Sequence, residues 1–392
     1  MKRQLTVALG LAVIATPALA TKARLEALGE DTFGSYYIND NRNIFLNPAR
    51  INENKDFITY EFGASGQNLT GADTAANPRA GGGFAKSVGN MVYGLHFGDS
   101  SPTTGYLRGI TGAANGLQEV QPWDFFIGGD AGAKWGASFT YESFDGGTAA
   151  AGNRYTSNAM KFRGGVLMGD LDLFAQIALK NKAQDYVGNK VQGDWGSFIG
   201  AGYMMNNYKL FLDWRKTDID YMTGGAAKKS LDTSIWRLGV ARSERLNDRA
   251  TLFAKAMITR TTANDQGTAV FGAKADSTTT LLPVVVGLEY AATSWLDLRG
   301  SVVQNVFSQQ QIDPSAGAKT SGNVANTAVN AGASLKFGEF SIDGLISTSA
   351  SGAAPLADNS GTQTTPQGST TQGAGTLRTD QLMTRVSMIY RF

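Results

Sequence analysis

The last eight residues, 385–392, read "RVSMIYRF": Val386, Met388, Tyr390 and Phe392 alternate with Arg385, Ser387, Ile389 and Arg391. Successive side chains of a strand point to opposite faces, so this ending has one apolar and one largely polar face. A sheet in lipid cannot leave its last strand unpaired, because no water is there to satisfy a bare edge. The stretch therefore predicts the closing strand of a transmembrane β-barrel.

The opposite end agrees. Lys2 and Arg3 precede the apolar run "LTVALGLAVIA", and Ala18-Leu19-Ala20 supplies a small-x-small cleavage pattern. That is the layout of a secretory signal peptide over residues 1–20, with Thr21 as the first mature residue. Beyond it no apolar stretch approaches the roughly 20 residues of a spanning helix. Cysteine is absent, so no disulfide framework is expected. A formal net charge of +2 with 17% charged residues gives no basic footprint for nucleic acid. Gly is abundant at 48 residues and Pro scarce at 9, a composition that favours strands and tight turns.

Runs of period-two alternation fill residues 53–392. "FITYEFGA" is the first, with Ile58, Tyr60, Phe62 and Ala64 on one face, and seven hairpins and the terminal strand follow. The hairpins turn at Gly89-Asn90, Asp130–Gly132, Gly169-Asp170, Asn206-Asn207, Asn247-Asp248, Thr293-Ser294 and Gly338-Glu339. Short turns alternate with long loops throughout, which is the asymmetry of a Gram-negative outer-membrane barrel. The fold class expected is all-β: an antiparallel transmembrane barrel of about sixteen strands in the cell outer membrane, preceded by a short helix or plug segment over residues 21–52. Aromatic rings favour the headgroup level. Trp135, Tyr203, Tyr208, Tyr290, Phe337, Phe340, Tyr390 and Phe392 form a girdle at the short-turn end, and Trp123, Trp195 and Trp214 one at the outer end. The stretch 350–377 has one charged residue, Asp358, and reads as a solvated low-complexity loop.

Residues 21–52 do not alternate. In "KARLEALGE" Leu25 and Leu28 stand three apart and Gly29 can end a short helix. The stretch "NIFLNPAR", with Asn47-Pro48-Ala49 at the entry to the first strand, resembles the N-terminal hatch of the long-chain fatty-acid transporter family, although that family has fourteen strands. The longer "EALGEDTFGSYYINDNRNIFLNPARI" resembles the start of PopA-type porin-like outer-membrane proteins of predatory bacteria. The resemblance implies a ring-shaped homo-oligomer that encloses a patch of lipid. The terminal strand is likewise similar to the signal that outer-membrane proteins present to the barrel-assembly machinery, which implies a targeting role for Tyr390 and Phe392.

No catalytic constellation emerges, and neither a cofactor nor a metal is expected. His96 is the single histidine, no G-x-S-x-G elbow occurs, and no second His or Cys can complete a metal site. Strand parity places His96 toward the lumen. Sixteen strands can enclose an aqueous channel, so the sequence predicts a passive pore for small solutes. Parity turns Lys161, Arg163, Lys180, Lys209, Arg215, Arg237, Lys255, Arg299, Lys336 and Arg385 inward, against the acids Asp172, Asp213, Glu289, Asp297 and Asp343. That excess predicts a weak anion preference, unless the charges pair across strands. The expected partners are outer-membrane lipid and lipopolysaccharide, the assembly machinery, and copies of the chain itself as a trimer or a ring-shaped pentamer. The alternatives are a lipid-organising structural protein and a fatty-acid-type transporter, the latter requiring an apolar lumen.

Overall fold

The computed structural model describes residues 21–63, 79–98, 122–146, 155–185, 190–222, 228–267, 274–314, 320–322, 327–349 and 382–392. The signal-peptide stretch 1–20 and the low-complexity stretch 350–377 lie outside them. The strands are β1 (Phe57–Gly63), β2 (Arg79–Val88), β3 (Met91–Phe97), β4 (Trp123–Asp130), β5 (Lys134–Gly146), β6 (Tyr155–Met168), β7 (Leu171–Asp185), β8 (Lys190–Met205) and β9 (Tyr208–Met222). They continue as β10 (Lys229–Arg245), β11 (Ala250–Gln266), β12 (Lys274–Ala291), β13 (Leu296–Pro314), β14 (Thr320–Gly322), β15 (Thr327–Phe337), β16 (Phe340–Ser349) and β17 (Leu382–Arg391).

Each wall strand pairs antiparallel with the next wall strand, β13 with β15 across the short β14, and β17 closes onto β1 from Phe57↔Arg391 to Gly63↔Arg385. Sixteen strands make the wall; β14 is a three-residue extension that pairs with β13 alone. The last strand is thus bonded on both sides, to β16 and to β1, which removes the edge that lipid would not tolerate. The Phe392 amide adds a bond to the Asp56 carbonyl at 3.2 Å.

Alternation sets the two surfaces. On β1, Ile58, Tyr60 and Phe62 are exposed outward, and Phe57, Thr59 and Glu61 are buried inward. The outer wall carries the aromatic ends anticipated from sequence: Tyr203, Tyr208, Tyr290, Phe337, Tyr390 and Phe392 are exposed beside the short turns. Toward the long loops stand Trp123, exposed, and Trp214, whose ring packs 5.8 Å from that of Trp236. The Trp195 side chain lies outside the described ones.

The inner surface does not face an empty channel at the level of the short turns. Residues 21–54 are folded into the lumen as a plug, in which Leu25, Leu28, Ile38, Ile44 and Ile51 are fully buried. Among the described residues four apolar clusters join plug to wall: Ile44, Phe45 and Ile51 with Phe57, Val92 and Phe126; Tyr36 and Leu46 with Phe174, Phe198, Phe211 and Met257; Leu25, Leu28 and Ile38 with Phe253; and Ala23 and Ala27 with Leu345. The fit depends on wall glycines. A Cβ at Gly136 would collide with the Pro48 carbonyl, and one at Gly165 with the Asn47 side-chain oxygen. Neither collision can be relieved by rotating the new side chain, since Cβ is fixed by the backbone.

Gly136→Val and Gly165→Val are therefore expected to leave a barrel with normal heat-modifiable gel mobility and a displaced plug, cut by trypsin after Arg42 and Arg50. Gly89→Asn, in a turn with positive φ and open space around it, is the control that should leave the plug protected. Equal protection in all three variants would contradict the close-packed seat.

Candidate functional site

The candidate site is the contact between plug and wall. It begins with local capping. The Thr21 hydroxyl accepts from the Arg24 amide at 3.3 Å and starts the helix α1 (Lys22–Ala27), which ends where Gly29 adopts φ +76°. Asp40 caps the 3-10 turn Asn41–Phe45 through the Arg42 amide at 2.8 Å. Asn47 caps a second 3-10 turn, Pro48–Asn52, through the Ala49 amide at 2.9 Å, with Pro48 at the first position where its missing N–H costs nothing. The other end of the Asn47 amide donates to Asp172 at 2.6 Å and to the Leu173 carbonyl at 3.1 Å. Asn47, Pro48 and Ala49 thus form the seat of the plug against β5, β6 and β7.

The charges of plug and wall interlock. Arg24 Nε donates to Glu289 on β12 at 2.7 Å and its Nη1 reaches Asp40 at 3.5 Å. Glu289 also accepts from Arg299 at 2.6 Å, and Arg299 reaches Asp343 at 2.6 Å, whose second oxygen accepts from Thr21. Arg50 pairs with Asp172 at 2.5 Å, Lys22 with Glu61 at 3.3 Å, and Arg42 with the same Glu61 at 3.6 Å. In the reverse sense, plug acids take wall bases: Glu26 takes Arg385 at 2.5 Å, and Glu30 takes Lys255. The Tyr36 hydroxyl donates to Asp213 at 3.2 Å, and Arg237 donates to the other oxygen of Asp213 at 2.7 Å. Burial pushes the Asp40 carboxyl up to about 7, against the pull of Arg24.

Of the residues expected inward, Lys161, Arg163, Lys209, Asp213, Arg215, Arg237, Lys255, Arg299 and Lys336 are buried or half-buried on the inner face. Lys336 pairs with Asp297 at 2.5 Å, Arg163 donates to Gln176 at 2.9 Å, and the Arg215 guanidinium lies 4.3 Å over the Phe198 ring. Lys180 is a correction. Leu179 has no partner on β6, and beyond this bulge the buried positions become Asn181 and Ala183, so Lys180 is exposed outward. His96 faces inward as expected, edge-on to Phe45 at 5.2 Å and to Phe126 at 5.8 Å. Sequence reading passed over the roles of Glu26, Glu30, Glu61 and Tyr36. Their partners lie across the lumen, hundreds of positions away in the case of Glu26 and Arg385, and period-two patterns carry no such information.

Among the described residues, two crevices at the plug surface share Phe33 in their lining. One of about 40 Å³ lies among Tyr36, Tyr37, Phe211, Arg215 and Lys255, and one of about 20 Å³ among Phe45, Asp124, Lys161, Arg163 and Gln176. Such volumes hold about one water molecule.

No family model matches the chain, and no curated protein does. Among solved structures it is similar to a bacterial polysaccharide outer membrane secretin, at 8% identity and TM-score 0.46 over 86% of this chain and 97% of that one. It is also similar to a FadL homologue of Pseudomonas aeruginosa, at 12% and 0.38 over 95% and 98%, and to an anion-selective porin from Comamonas acidovorans, at 14% and 0.34 over 71% and 96%. Likeness of this degree concerns the fold alone. What the structure itself shows is the fold, a closed antiparallel β-barrel.

Asp172→Asn, at a buried carboxylate, removes the main charge partner of half-buried Arg50 while keeping the shape. Breaking one half of a buried pair costs about 3 kcal/mol, so the plug should open for trypsin roughly 100-fold more often. Lys216→Ser, which breaks an exposed pair with Asp218 (3.2 Å), should change cleavage less than about threefold. Equal rates would show that the Arg50 pair does not hold the plug.

Proposed function

We propose that this protein is a closed outer-membrane barrel that acts through its outer wall, organising lipid and associating with copies of itself, and that its lumen serves as a filled core. The observation that carries this reading is the reciprocal interlock: plug bases neutralise wall acids, and plug acids neutralise wall bases, from Lys22–Glu61 round to Glu26–Arg385. A plug built to leave would not need its charges buried against the wall. The resemblance of residues 26–51 to the PopA-type start points the same way, toward a ring that encloses lipid.

The pore reading keeps one supporting observation. Lys161, Arg163 and Arg215 line the crevices beside the plug, and such a group of cations favours anions. The fatty-acid-type reading is supported less, because the plug contact is strongly charged where an apolar path would be needed. A catalytic role has no support from His96, which packs against aromatic rings.

Planar-bilayer recording separates these readings. The wild-type protein should insert without conductance steps, and a variant lacking residues 22–52 that still shows barrel mobility should conduct. Steps with an anion-shifted reversal potential from the wild-type protein would replace this reading with the pore.

A further inference from the structure

The two faces of the wall do not keep a single parity to the rim. In the lower half of β7, Asp172, Phe174 and Gln176 face inward while Ala175 and Ile177 are exposed. Unbroken alternation would send Ala178, Lys180 and Lys182 inward. At the bulge both Leu179 and Lys180 are exposed, and Asn181 and Ala183 become the buried positions. Neighbouring β8 is irregular at a matching place, between Asp194 and Ser197. Above that irregularity Val191 is buried and Lys190 exposed. Gly193 makes room for the turned-in Asn181, since a Cβ there would stand 2.7 Å from the Asn181 amide nitrogen. Bulges re-aim side chains, and this pair brings Lys180, Lys182 and Lys190 together on the outer wall toward the long-loop rim.

The register makes them a cluster. Lys182 lies opposite Gln192 and Lys190 opposite Gln184, so the two lysines are diagonal neighbours. Such neighbours are about 7–8 Å apart, a span that one phosphate bridges with two flexible ammonium groups. Below them Leu179, Ile177 and Ile199 are exposed on the outer wall. None of the three lysines has an ion pair or hydrogen bond among the described residues. The acids of the next strand are engaged, Asp218 with Lys216 at 3.2 Å and Asp220 with Lys228 at 2.5 Å. Three like charges held together at a lipid boundary repel one another unless an anion joins them.

The geometry points to a binding site for the phosphorylated headgroup of an outer-leaflet glycolipid, with Lys180, Lys182 and Lys190 on the phosphates and Ile177, Leu179 and Ile199 against the acyl chains. The site rests on the outer-membrane placement of the long-loop end and is independent of whether the lumen is closed. It therefore stands or falls separately from the conductance result.

The test is native mass spectrometry of the full mature protein in mild detergent, titrated with bis-phosphorylated lipopolysaccharide. Each lysine near a membrane surface contributes about fivefold to affinity for anionic lipid, so the triple variant Lys180→Gln, Lys182→Gln, Lys190→Gln should bind roughly 100-fold more weakly. Lys86→Gln, at the short-turn end and paired with Asp56, should bind as wild type does. If the triple variant does not assemble, the single variant Lys182→Gln, with a loss of roughly fivefold, replaces it. Unchanged affinity in these variants, or equal binding of dephosphorylated glycolipid, would overturn the site. Equal competition by phosphatidylglycerol or by inorganic phosphate would overturn its assignment to glycolipid.

Discussion

A sixteen-strand wall encloses more volume than its own inward side chains can fill. Everything else in this molecule follows from how that volume is occupied. Here it is occupied by the chain's own first described residues, brought into a lumen whose wall carries charges of both signs. An isolated charge in such a place is costly, and a pair is tolerated only when its geometry is complete. The Arg24, Glu289, Arg299 and Asp343 chain satisfies that condition by sharing carboxylates between plug and wall. The two parts then become a single body, since neither can leave without exposing the other's unpaired charge.

The wall was largely legible in the sequence because its rule is local. Alternation and turn residues recur within ten or fifteen positions, and they define strands, turn ends and outward faces without reference to any distant contact. The closing role of the last strand could be read for the same reason, since Val386, Met388 and Tyr390 already declare one face apolar. Local rules also explain the miss at Lys180. A bulge inserts one residue and reverses every later side chain, and nothing in "IALKNKA" marks where the extra residue falls.

The lumen was legible only by halves. Nine of the ten residues assigned to the pore do lie on the inner face, yet their electrostatic character depends on partners the periodicity cannot reveal. An excess of inward bases follows only while Glu61, Asp124, Glu142 and Asp265, which are also buried on the wall's inner face, are left out of the sum. The plug adds charges of both signs, with Glu26 and Glu30 taking Arg385 and Lys255 and its arginines taking wall acids. The Asn47-Pro48-Ala49 stretch lies in a folded segment whose physical content is a cap, a pre-set φ, and a carbonyl pressed on Gly136. The same glycines that allow this approach would look, in sequence alone, like ordinary weak points in strands.

The central claim is that plug and wall form one rigid unit in the membrane. Hydrogen exchange, followed residue by residue in protein held in lipid nanodiscs, tests it most directly. The amides of Leu25, Leu28, Asn43, Leu46, Asn47 and Arg50 each donate to a carbonyl within the plug. They should exchange as slowly as the amides of β10 and β11. Exchange as fast as that of an unstructured peptide, with the strands still protected, would show a plug that comes and goes and would contradict the account.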